Sequence, residues 1–284
     1  MEKAIKRAQI LSEALPYMRE FSGKTVVIKL GGKASGEKGI QRDIAEDIVL
    51  MHYVGIKPVV IHGGGEAISR LMQRLGIKPE FVEGNRVTNE ATMEIVEMVL
   101  VGKINKEIVA LLNLCGGKAV GIEGKDGELI FARKTSKEKL GLVGEVENIN
   151  PRLLEVLEKE GFIPVIAPVG MGKEGESLNI NADMVAAEVA GALKAEKLIF
   201  LTDVEGILED PCNPETLIPT ITLQQIEKML QEGNIQKGMM PKVESCQRAL
   251  KKGVKKVHII SGKIPHSLLL EIFTDSGIGT QILP

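Results

Sequence analysis

The sequence predicts an α/β protein whose central, mostly parallel sheet is covered by helices on both faces. Two apolar, β-branched runs at residues 25–30 and 58–61 support this fold class, because such runs are typical of strands buried on both faces. The segment 41–53 between them carries apolar residues at helical spacing, which completes a βαβ unit. Each strand ends in glycines, at 31–32 and 63–65. Ligands bind at this edge of a parallel sheet, and glycine lets N–H groups approach them closely, so we expect a small anionic ligand there.

The alternation of helices and strands continues to the end of the chain. An N-terminal amphipathic helix is expected over residues 3–21, with a kink at Pro16. The first half then predicts a long helix capped by Thr88 and running over 92–112, strands at 119–122 and 129–132, a hairpin arm at 141–146, a helix at 151–160 and a buried strand at 162–169. The second half predicts helices at 181–193, 222–231, after Pro241 and at 265–273, and strands at 197–203, 254–260 and 279–283.

Composition and charge narrow the class of protein. A chain of 284 residues with 44% hydrophobic and 26% charged residues is long enough for one large or two modest globular domains. A net charge of −2 argues against nucleic acid or an anionic membrane bound through bulk charge. No apolar run approaches the about 18 residues of a membrane span. Three scattered cysteines, Cys115, Cys212 and Cys246, form neither a metal motif nor a disulfide framework, and with no signal-peptide core we expect a cytoplasmic protein.

Residues 170–175 match the GxGxxG string of dinucleotide-binding folds. That motif needs its third glycine at the start of a helix, whereas residues 176–180 read as extended chain, so we interpret the string as a surface hairpin. The sequence contains no P-loop string. It also shows no obvious linker, and the segment 170–177 is the best candidate for a soft domain boundary.

The polar residues that can carry chemistry are scattered along the chain. Lys29 ends a buried strand just before two glycines, where it points either to solvent or, as we expect, into the ligand crevice. Lys242 lies where a loop enters a helix, a second place suited to an anion. Asp183 follows two asparagines at a helix start, which fits capping and a functional role equally well. Arg86 has the fork that grips carboxylates, and His62 fits neutral packing at least as well as catalysis.

Together and in this order, these strings resemble the acetylglutamate kinases of the amino-acid kinase family, essentially from end to end. The resemblance is carried by Lys29-Leu30-Gly31-Gly32, His62-Gly63-Gly64-Gly65, Arg86-Val87-Thr88, Asn179-Ile180-Asn181-Ala182-Asp183, Thr202-Asp203-Val204-Glu205-Gly206 and Gly238-Met239-Met240-Pro241-Lys242. It implies a three-layer αβα sandwich, the amino-acid kinase fold, plus an N-terminal helix. It also implies three segments, an oligomerisation helix (1–22), an acetylglutamate-binding half (23–175) and an ATP-binding half (176–284).

The implied reaction moves the γ-phosphoryl group of ATP to the side-chain carboxylate of N-acetyl-L-glutamate, giving N-acetyl-L-glutamyl 5-phosphate and ADP in arginine biosynthesis. A carboxylate with a pKa of about 4.3 is already ionised at neutral pH, so catalysis needs positioning and charge stabilisation rather than a general base. By resemblance, Lys29 and Lys242 contact the transferring phosphoryl group, and Asp183 holds both lysines. Mg²⁺ is expected to enter with ATP, held mainly by phosphates and water, without a dedicated metal motif.

The resemblance also assigns binding residues. Those for acetylglutamate are Gly64, Gly65, Arg86 and Asn179. Those for ATP are Gly31, Gly32, Thr202, Asp203, Gly206 and Gly238.

The N-terminal helix resembles the extra helix of the arginine-sensitive branch of these enzymes. Its apolar stripe consists of Ile5, Ala8, Leu11 and Leu15, and the alternative is that this stripe packs on its own domain. The resemblance implies a hexamer, as a trimer of dimers, that L-arginine inhibits, and a PII signalling protein as a further partner. The implied effector site consists of Tyr17, Lys197, His266, Glu271 and Gly277.

Four positions depart from the usual pattern of the family, namely Lys33, Glu66, Asn85 and Lys237. They bear on substrate affinity and on the loop before Lys242, and none removes an assigned catalytic residue. Two rival readings are a sister kinase for another acid and a non-catalytic arginine-binding module. Arg86 and Asn179 favour acetylglutamate as acceptor, and the presence of both lysines favours catalysis. The misplaced GxGxxG string weighs against a dehydrogenase.

Overall fold

The computed structural model describes residues 1–31, 35–36, 39–210, 213–233, 235, 239–275 and 277–284. The α-helices in this part of the chain are α1 (Glu2–Phe21), α2 (Arg42–Tyr53), α3 (Gly65–Arg74), α4 (Glu90–Glu97), α5 (Asn105–Leu114), α6 (Arg152–Lys159), α7 (Ala182–Ala192), α8 (Leu223–Gln231), α9 (Met240–Lys251) and α10 (Ser267–Phe273). A π-helix (Met98–Ile104) joins α4 to α5, and 3₁₀ turns occupy Asp126–Glu128, Glu138–Leu140 and Pro214–Thr216.

The strands are β1 (Thr25–Leu30), β2 (Ser35–Gly36), β3 (Gly39–Ile40), β4 (Lys57–His62), β5 (Phe81–Val82), β6 (Asn85–Arg86), β7 (Ala119–Ile122), β8 (Ile130–Lys134), β9 (Gly144–Ile149), β10 (Ile163–Ile166), β11 (Val169–Met171), β12 (Ser177–Asn179), β13 (Lys197–Thr202), β14 (Thr220–Thr222), β15 (Lys256–Ser261) and β16 (Thr280–Leu283).

An eight-stranded sheet forms the centre of the fold, in the order β14-β16-β15-β13-β1-β4-β10-β7. Its neighbouring strands are parallel except for the antiparallel pair β15 and β16. β1 lies in the middle, where Lys29 is opposite Phe200 of β13 and Ile61 of β4. The carboxyl ends of these three strands therefore meet at one edge of the sheet, as the sequence predicts.

Helices cover both faces of this sheet. Successive side chains of a strand point to opposite faces, and in β1 Val26 and Ile28 belong to one apolar core whereas Val27 belongs to the other. The first core contains residues of α2, α5 and α10, and the second contains residues of α7 and α9. The side chains of Val26, Val27 and Ile28 are all 0% exposed. The predicted three-layer αβα sandwich with a mostly parallel sheet is confirmed.

A second sheet has the order β12-β11-β8-β9. The single strand predicted at 162–169 divides between the two sheets, with β10 in the central one and β11 in the second. Pro168 lies at this division, and a proline cannot donate to a strand ladder. The 170–175 string lies in the β11–β12 hairpin, where the Gly172 N–H donates to the Glu176 carbonyl oxygen at 2.8 Å. The predicted hairpin is confirmed.

The long helix predicted after Thr88 has its N-cap one residue later than expected and changes type midway. Asn89 is its N-cap, because the Asn89 side chain accepts a hydrogen bond from the Thr92 N–H at 2.9 Å. Thr88 is buried and donates its hydroxyl to the Arg86 carbonyl oxygen at 2.9 Å. Threonine and asparagine are both good N-caps, so the sequence alone did not separate them. Between α4 and α5 the chain widens into the π-helix, a form often found at functional sites.

Helix α1 continues through Pro16 to Phe21. The apolar stripe of its first turns is uncovered, with Ile5 52%, Leu11 66% and Leu15 50% exposed. Towards the end of the helix, Phe21 is buried in the core and Tyr17 packs against it. None of the helices in the described part of the chain combines the length and apolar character needed to span a membrane.

Asp47 joins α2 to the start of α10. Its side chain is fully buried, and Asp47 Oδ1 lies 2.6 Å from His266 Nδ1. Burial raises the pKa of Asp47, and the hydrogen bond to Asp47 raises the pKa of His266. A titratable contact thus connects two helices that are far apart in sequence.

This contact predicts a pH dependence of stability. The pKa of His266 is higher in the folded than in the unfolded chain, where it is about 6.5, so its stabilising effect is complete below that pH and is lost as the pH rises through the folded pKa. Asn tolerates the positive φ of 54° at this position and does not titrate. We expect the difference in unfolding free energy between wild type and His266→Asn to shrink above about pH 6.5. Urea denaturation across pH 5.5–9 measures it, and a difference that is constant with pH would contradict the prediction.

Candidate active site

Asp183 joins two lysines at the carboxyl edge of the central sheet. Lys29, from the end of β1, places its Nζ 2.7 Å from Asp183 Oδ1. Lys242, from the first turn of α9, places its Nζ 2.8 Å from Asp183 Oδ2. Asp183 itself lies in the first turn of α7, whose N-cap Asn181 accepts the Asp183 N–H at 2.8 Å. Capping is thus performed by Asn181, which leaves the Asp183 carboxylate for the lysines.

Burial and charge compete in this triad. The side chains of Lys29, Asp183 and Lys242 are 11%, 13% and 12% exposed. Burial raises the pKa of Asp183, but the two ammonium groups outweigh it and lower that pKa to about 2. Burial also lowers the pKa of Lys29, against the upward pull of Asp183. Asp183 is therefore a permanent anion at neutral pH, and the three groups together leave one positive charge for a ligand.

Two further contacts fix the lysines. The Lys242 ammonium lies 5.1 Å from the centre of the Phe200 ring, a cation–π distance. A Cβ at Gly31 would lie 2.6 Å from Lys29 Nζ, so a larger residue at this position would displace the ammonium group from the place where it meets Asp183. Gly31 also donates its N–H to the Leu201 carbonyl oxygen at 2.9 Å. The predicted residues Gly32 and Gly238, and the departures Lys33 and Lys237, lie outside the described residues.

A cavity of about 270 Å³ opens beside Lys29. Its wall includes Gly64, Gly65 and Arg86, and also the β12 residue Asn179. The N-terminal end of α3 at Gly65 lies on this wall, and the first N–H groups of a helix have no partner within the helix. The cavity therefore combines cationic side chains with backbone donors, which suits a ligand with two separated anionic groups.

Arg86 is held in place at the wall of the cavity. Its Nη2 donates to the Gly65 carbonyl oxygen at 2.7 Å and to Ser69 Oγ at 2.8 Å, and its guanidinium lies 4.7 Å from the centre of the Phe81 ring. Arg86 is 7% exposed, and burial lowers its pKa. The guanidinium is therefore oriented before any ligand arrives.

Thr88 connects two predicted substrate residues, a role that the sequence reading missed. The Asn179 Nδ2 donates to Thr88 Oγ1 at 3.1 Å, and Thr88 in turn bonds to the Arg86 backbone. Of the two departures in the described part of the chain, Asn85 lines the cavity and Glu66 lies in the first turn of α3. The sequence signal for the role of Thr88 was its position in the string Arg86-Val87-Thr88, two residues after the arginine.

The predicted nucleotide residues follow β13. Thr202 is buried, and its Oγ1 lies 3.2 Å from Asp203 Oδ1. Gly206 lies where a Cβ would come within 2.5 Å of Thr280 Oγ1, so the chain packs closely against β16 there. These residues extend the same sheet edge beyond the triad, and they do not line the 270 Å³ cavity.

A second cavity, of about 250 Å³, lies at the other end of β13. Tyr17, Lys197, Glu271 and Gly277 line it, as the effector prediction requires of these four. Lys197 Nζ lies 2.9 Å from Glu271 Oε1. Both side chains are buried, and the Tyr17 hydroxyl lies 2.6 Å from Asp275 Oδ1 at the rim.

The second cavity is lined by His258 and not by the predicted His266. His266 does not line the second cavity, because its ring is bound to Asp47. His258 does, with Nδ1 2.8 Å from Glu271 Oε1. Burial raises the pKa of Glu271, but His258 and Lys197 outweigh it and lower that pKa. The sequence signal for His258 was a polar residue within an apolar strand, opposite Ile199 of the strand that carries Lys197.

Comparison with known proteins places this geometry in a family. The model of the Amino acid kinase family matches residues 24–261. An acetylglutamate kinase from Moorella thermoacetica is 54% identical, over 99% of this chain and 98% of that protein. One from Methanocaldococcus jannaschii is 53% identical, over 99% of this chain and 98% of that protein.

Among solved structures, N-acetylglutamate synthase from Neisseria gonorrhoeae superposes with a TM-score of 0.84 at 28% identity in its complex with coenzyme A and N-acetyl-glutamate. The match covers 98% of this chain and 63% of the synthase chain. Its complex with coenzyme A and L-arginine superposes with a TM-score of 0.79 at 26% identity, over 97% of this chain and 65% of the synthase. The family match and the near-complete alignment with the two kinases agree. The chain belongs to the acetylglutamate kinases of the amino acid kinase family.

Proposed function

We propose that the protein transfers the γ-phosphoryl group of ATP to the side-chain carboxylate of N-acetyl-L-glutamate, giving N-acetyl-L-glutamyl 5-phosphate and ADP. The observation that carries the proposal is the Lys29–Asp183–Lys242 triad at the edge of a cavity with Arg86 in its wall. Relatives named acetylglutamate kinase align over nearly the full chain. The product belongs to arginine biosynthesis.

The chemistry needs cations more than a base. The attacking carboxylate is ionised at neutral pH, and the difficulty is its repulsion by the polyphosphate. Lys29 stabilises the transferring phosphoryl group from the acceptor side and Lys242 from the ATP side. Asp183, with a pKa of about 2, does not accept a proton at neutral pH and instead keeps the two lysines at a fixed separation.

The acceptor lies in the 270 Å³ cavity. Arg86 binds the α-carboxylate, the N–H groups of Gly64 and Gly65 contact the substrate, and Asn179 completes the pocket. This arrangement holds the acceptor at both ends, so that its side-chain carboxylate faces Lys29. The proposal is supported by the way Gly65 and Ser69 orient the arginine before substrate binds.

ATP lies along the carboxyl edge of β1 and β13. We propose that Gly32 and Gly238 give N–H groups to its phosphates, and that Gly31, whose own N–H is bound to the Leu201 carbonyl oxygen, lets the phosphates approach closely. Thr202, Asp203 and Gly206 form part of the nucleotide pocket. Mg²⁺ enters with the nucleotide and neutralises phosphate charge. Among the described residues there is no group of three or more His, Cys, Asp or Glu that could hold a metal ion.

The first prediction concerns the two lysines. Because each acts on charge that develops in the transition state, Lys29→Ala and Lys242→Ala should lower kcat on the order of 10²–10³-fold, the loss typical of one oxyanion donor. Lys57→Ala is a matched control, since Lys57 begins β4 at the opposite edge of the sheet and should leave kcat unchanged. Coupled ADP release measures all three. A lysine variant that raises only KM would refute the assigned role.

The second prediction concerns the acceptor. The free amine of glutamate would carry an unpaired positive charge into a pocket that holds a neutral amide, so kcat/KM should favour N-acetylglutamate by at least about a hundredfold. Phosphoryl transfer to both acids at equal MgATP measures this ratio. Comparable values would assign the protein to a sister kinase that acts on another acid.

The second cavity is the proposed site for L-arginine as feedback inhibitor. Glu271 pairs with a cationic group of arginine, Lys197 faces its carboxylate, and Tyr17 closes the site from α1. The proposal is supported by a buried pair of opposite charges in a 250 Å³ cavity, which an amino acid with both charges can match.

We further propose that the chain has three functional segments. Residues 1–22 act as the oligomerisation helix, residues 23–175 as the acceptor half and residues 176–284 as the ATP half.

The uncovered stripe on α1 is the basis for a proposed hexamer. An amphipathic helix with Ile5, Leu11 and Leu15 half or more exposed is marginal alone and gains stability from a partner surface. Arginine would then inhibit by holding α1 and the ATP half in one arrangement, which requires different affinities for two states.

The third prediction tests this regulation. Deletion of residues 1–20 removes Tyr17 and the apolar stripe, so the shortened protein should sediment as a smaller oligomer, keep kinase activity and lose inhibition by arginine. Sedimentation velocity and activity in 0–10 mM arginine measure both effects, with Glu271→Gln in the full chain as a variant that should lose inhibition but keep the assembly. A full-length protein that sediments as a dimer, or that millimolar arginine does not inhibit, would refute the regulatory proposal and leave the kinase proposal intact.

A further inference from the structure

A buried chain of polar contacts runs from α5 to the glycine loop of the acceptor cavity. His62, the last residue of β4, is 0% exposed and does not line that cavity. Its Nδ1 lies 2.9 Å from the Gly63 carbonyl oxygen. A carbonyl oxygen only accepts hydrogen bonds, so Nδ1 carries the proton and Nε2 has the free lone pair. The imidazole is therefore fixed in one neutral tautomer.

Asn105 supplies the partner of the other ring nitrogen. It is the first residue of α5, and its Nδ2 lies 3.3 Å from His62 Nε2 and 2.9 Å from the Val165 carbonyl oxygen. Both amide hydrogens are thus used, one on the ring and one on β10. Gly121 makes room for this side chain, because a Cβ there would lie 1.8 Å from Asn105 Oδ1. The amide is fixed against the central sheet.

The environment keeps the histidine neutral. Burial lowers the pKa of His62 to about 4, with a smaller contribution from the nearby ammonium groups of Lys29 and Lys106. A ring that is neutral at physiological pH and out of contact with the cavity does not transfer protons to a substrate there. Its two nitrogens instead join α5 to the backbone of the loop.

The π-helix packs closely against Gly64, the next residue of the same loop. A Cβ at Gly64 would lie 2.5 Å from both Leu100 Cδ2 and Ile104 Cδ1, which are π-helix side chains. The Gly63 N–H is bound to the Leu30 carbonyl oxygen at 3.1 Å. Three contacts therefore position the loop. β1 binds the Gly63 N–H, His62 binds the Gly63 carbonyl oxygen, and the π-helix packs against Gly64.

We propose that His62 and Asn105 are positioning residues of the acceptor site, which orient the Gly63 peptide and so direct the N–H groups of Gly64 and Gly65 into the cavity. The inference rests on the proposed role of this cavity in binding N-acetylglutamate. It assigns a function to two polar side chains that the phosphoryl-transfer chemistry itself does not use. It also explains why β4 ends in a histidine and not in an apolar residue like those that precede it.

Substitutions at both ends of the contact chain test the proposal. His62→Leu leaves the Gly63 carbonyl without its donor, and Asn105→Ala frees the ring, so each should raise KM for N-acetylglutamate about tenfold while KM for ATP changes less than about twofold. His62→Asn should restore most of the loss, because the Asn amide nitrogen is bonded to Cγ as Nδ1 is and still reaches the Gly63 carbonyl.

Asn113→Ala is the matched control. Asn113 lies on the same helix and accepts the Ala119 N–H at 2.7 Å, so its loss should lower the melting temperature like Asn105→Ala without changing either KM. If His62→Leu does not fold, the comparison of His62→Asn, Asn105→Ala and Asn113→Ala still gives the answer.

The outcomes separate this inference from the proposed function. An active wild type whose Asn105→Ala variant loses stability but keeps its acceptor KM, as Asn113→Ala does, would overturn the positioning role alone. Equal rises in KM for acceptor and nucleotide would also overturn it. A wild-type protein without acetylglutamate-dependent ADP release would overturn the proposed function, and this inference with it.

Discussion

The carboxylate of Asp183 is the contact on which the site depends. Lys29 and Lys242 come from distant parts of the chain, and their two ammonium groups would repel each other in a crevice where both are nearly buried. Asp183 offers one oxygen to each, and the ion pairs keep its own pKa near 2 despite burial. Breaking a buried ion pair on one side leaves an uncompensated charge, so the positions of the two lysines are linked through this residue.

The order of strands in the central sheet makes that contact possible. β1 lies between β4 and β13, and parallel pairing brings the carboxyl ends of all three to one edge. The helices that follow β12 and precede β15 then begin at the same edge, which places Asp183 and Lys242 above the end of β1. The opposite edge of the same sheet holds the Lys197–Glu271 pair, so one sheet connects the two cavities.

The charged groups at this edge are each held in orientation by neighbouring side chains or backbone groups. Phe200 lies beneath the Lys242 ammonium, and Gly65 and Ser69 hold the Arg86 guanidinium. The loop that joins β4 to α3 is held in the same way by the His62–Asn105 pair and the π-helix. Electrostatic catalysis depends on groups that are oriented before the reaction begins, and these contacts provide that orientation.

The sequence by itself determined the α/β class, the order of the elements and most of their extents, because apolar periodicity, caps and glycines act over a few residues. It also singled out Lys29, Asp183, Arg86 and Lys242, and the family resemblance joined them into one site. The tertiary structure alone decided which partners the histidines have. The His62–Asn105 contact joins residues 43 apart in sequence, and the His266–Asp47 contact joins residues 219 apart. Such contacts depend on strand register and helix packing, which no local pattern encodes. For that reason the second cavity is lined by His258 and not by His266, which the resemblance had assigned to it.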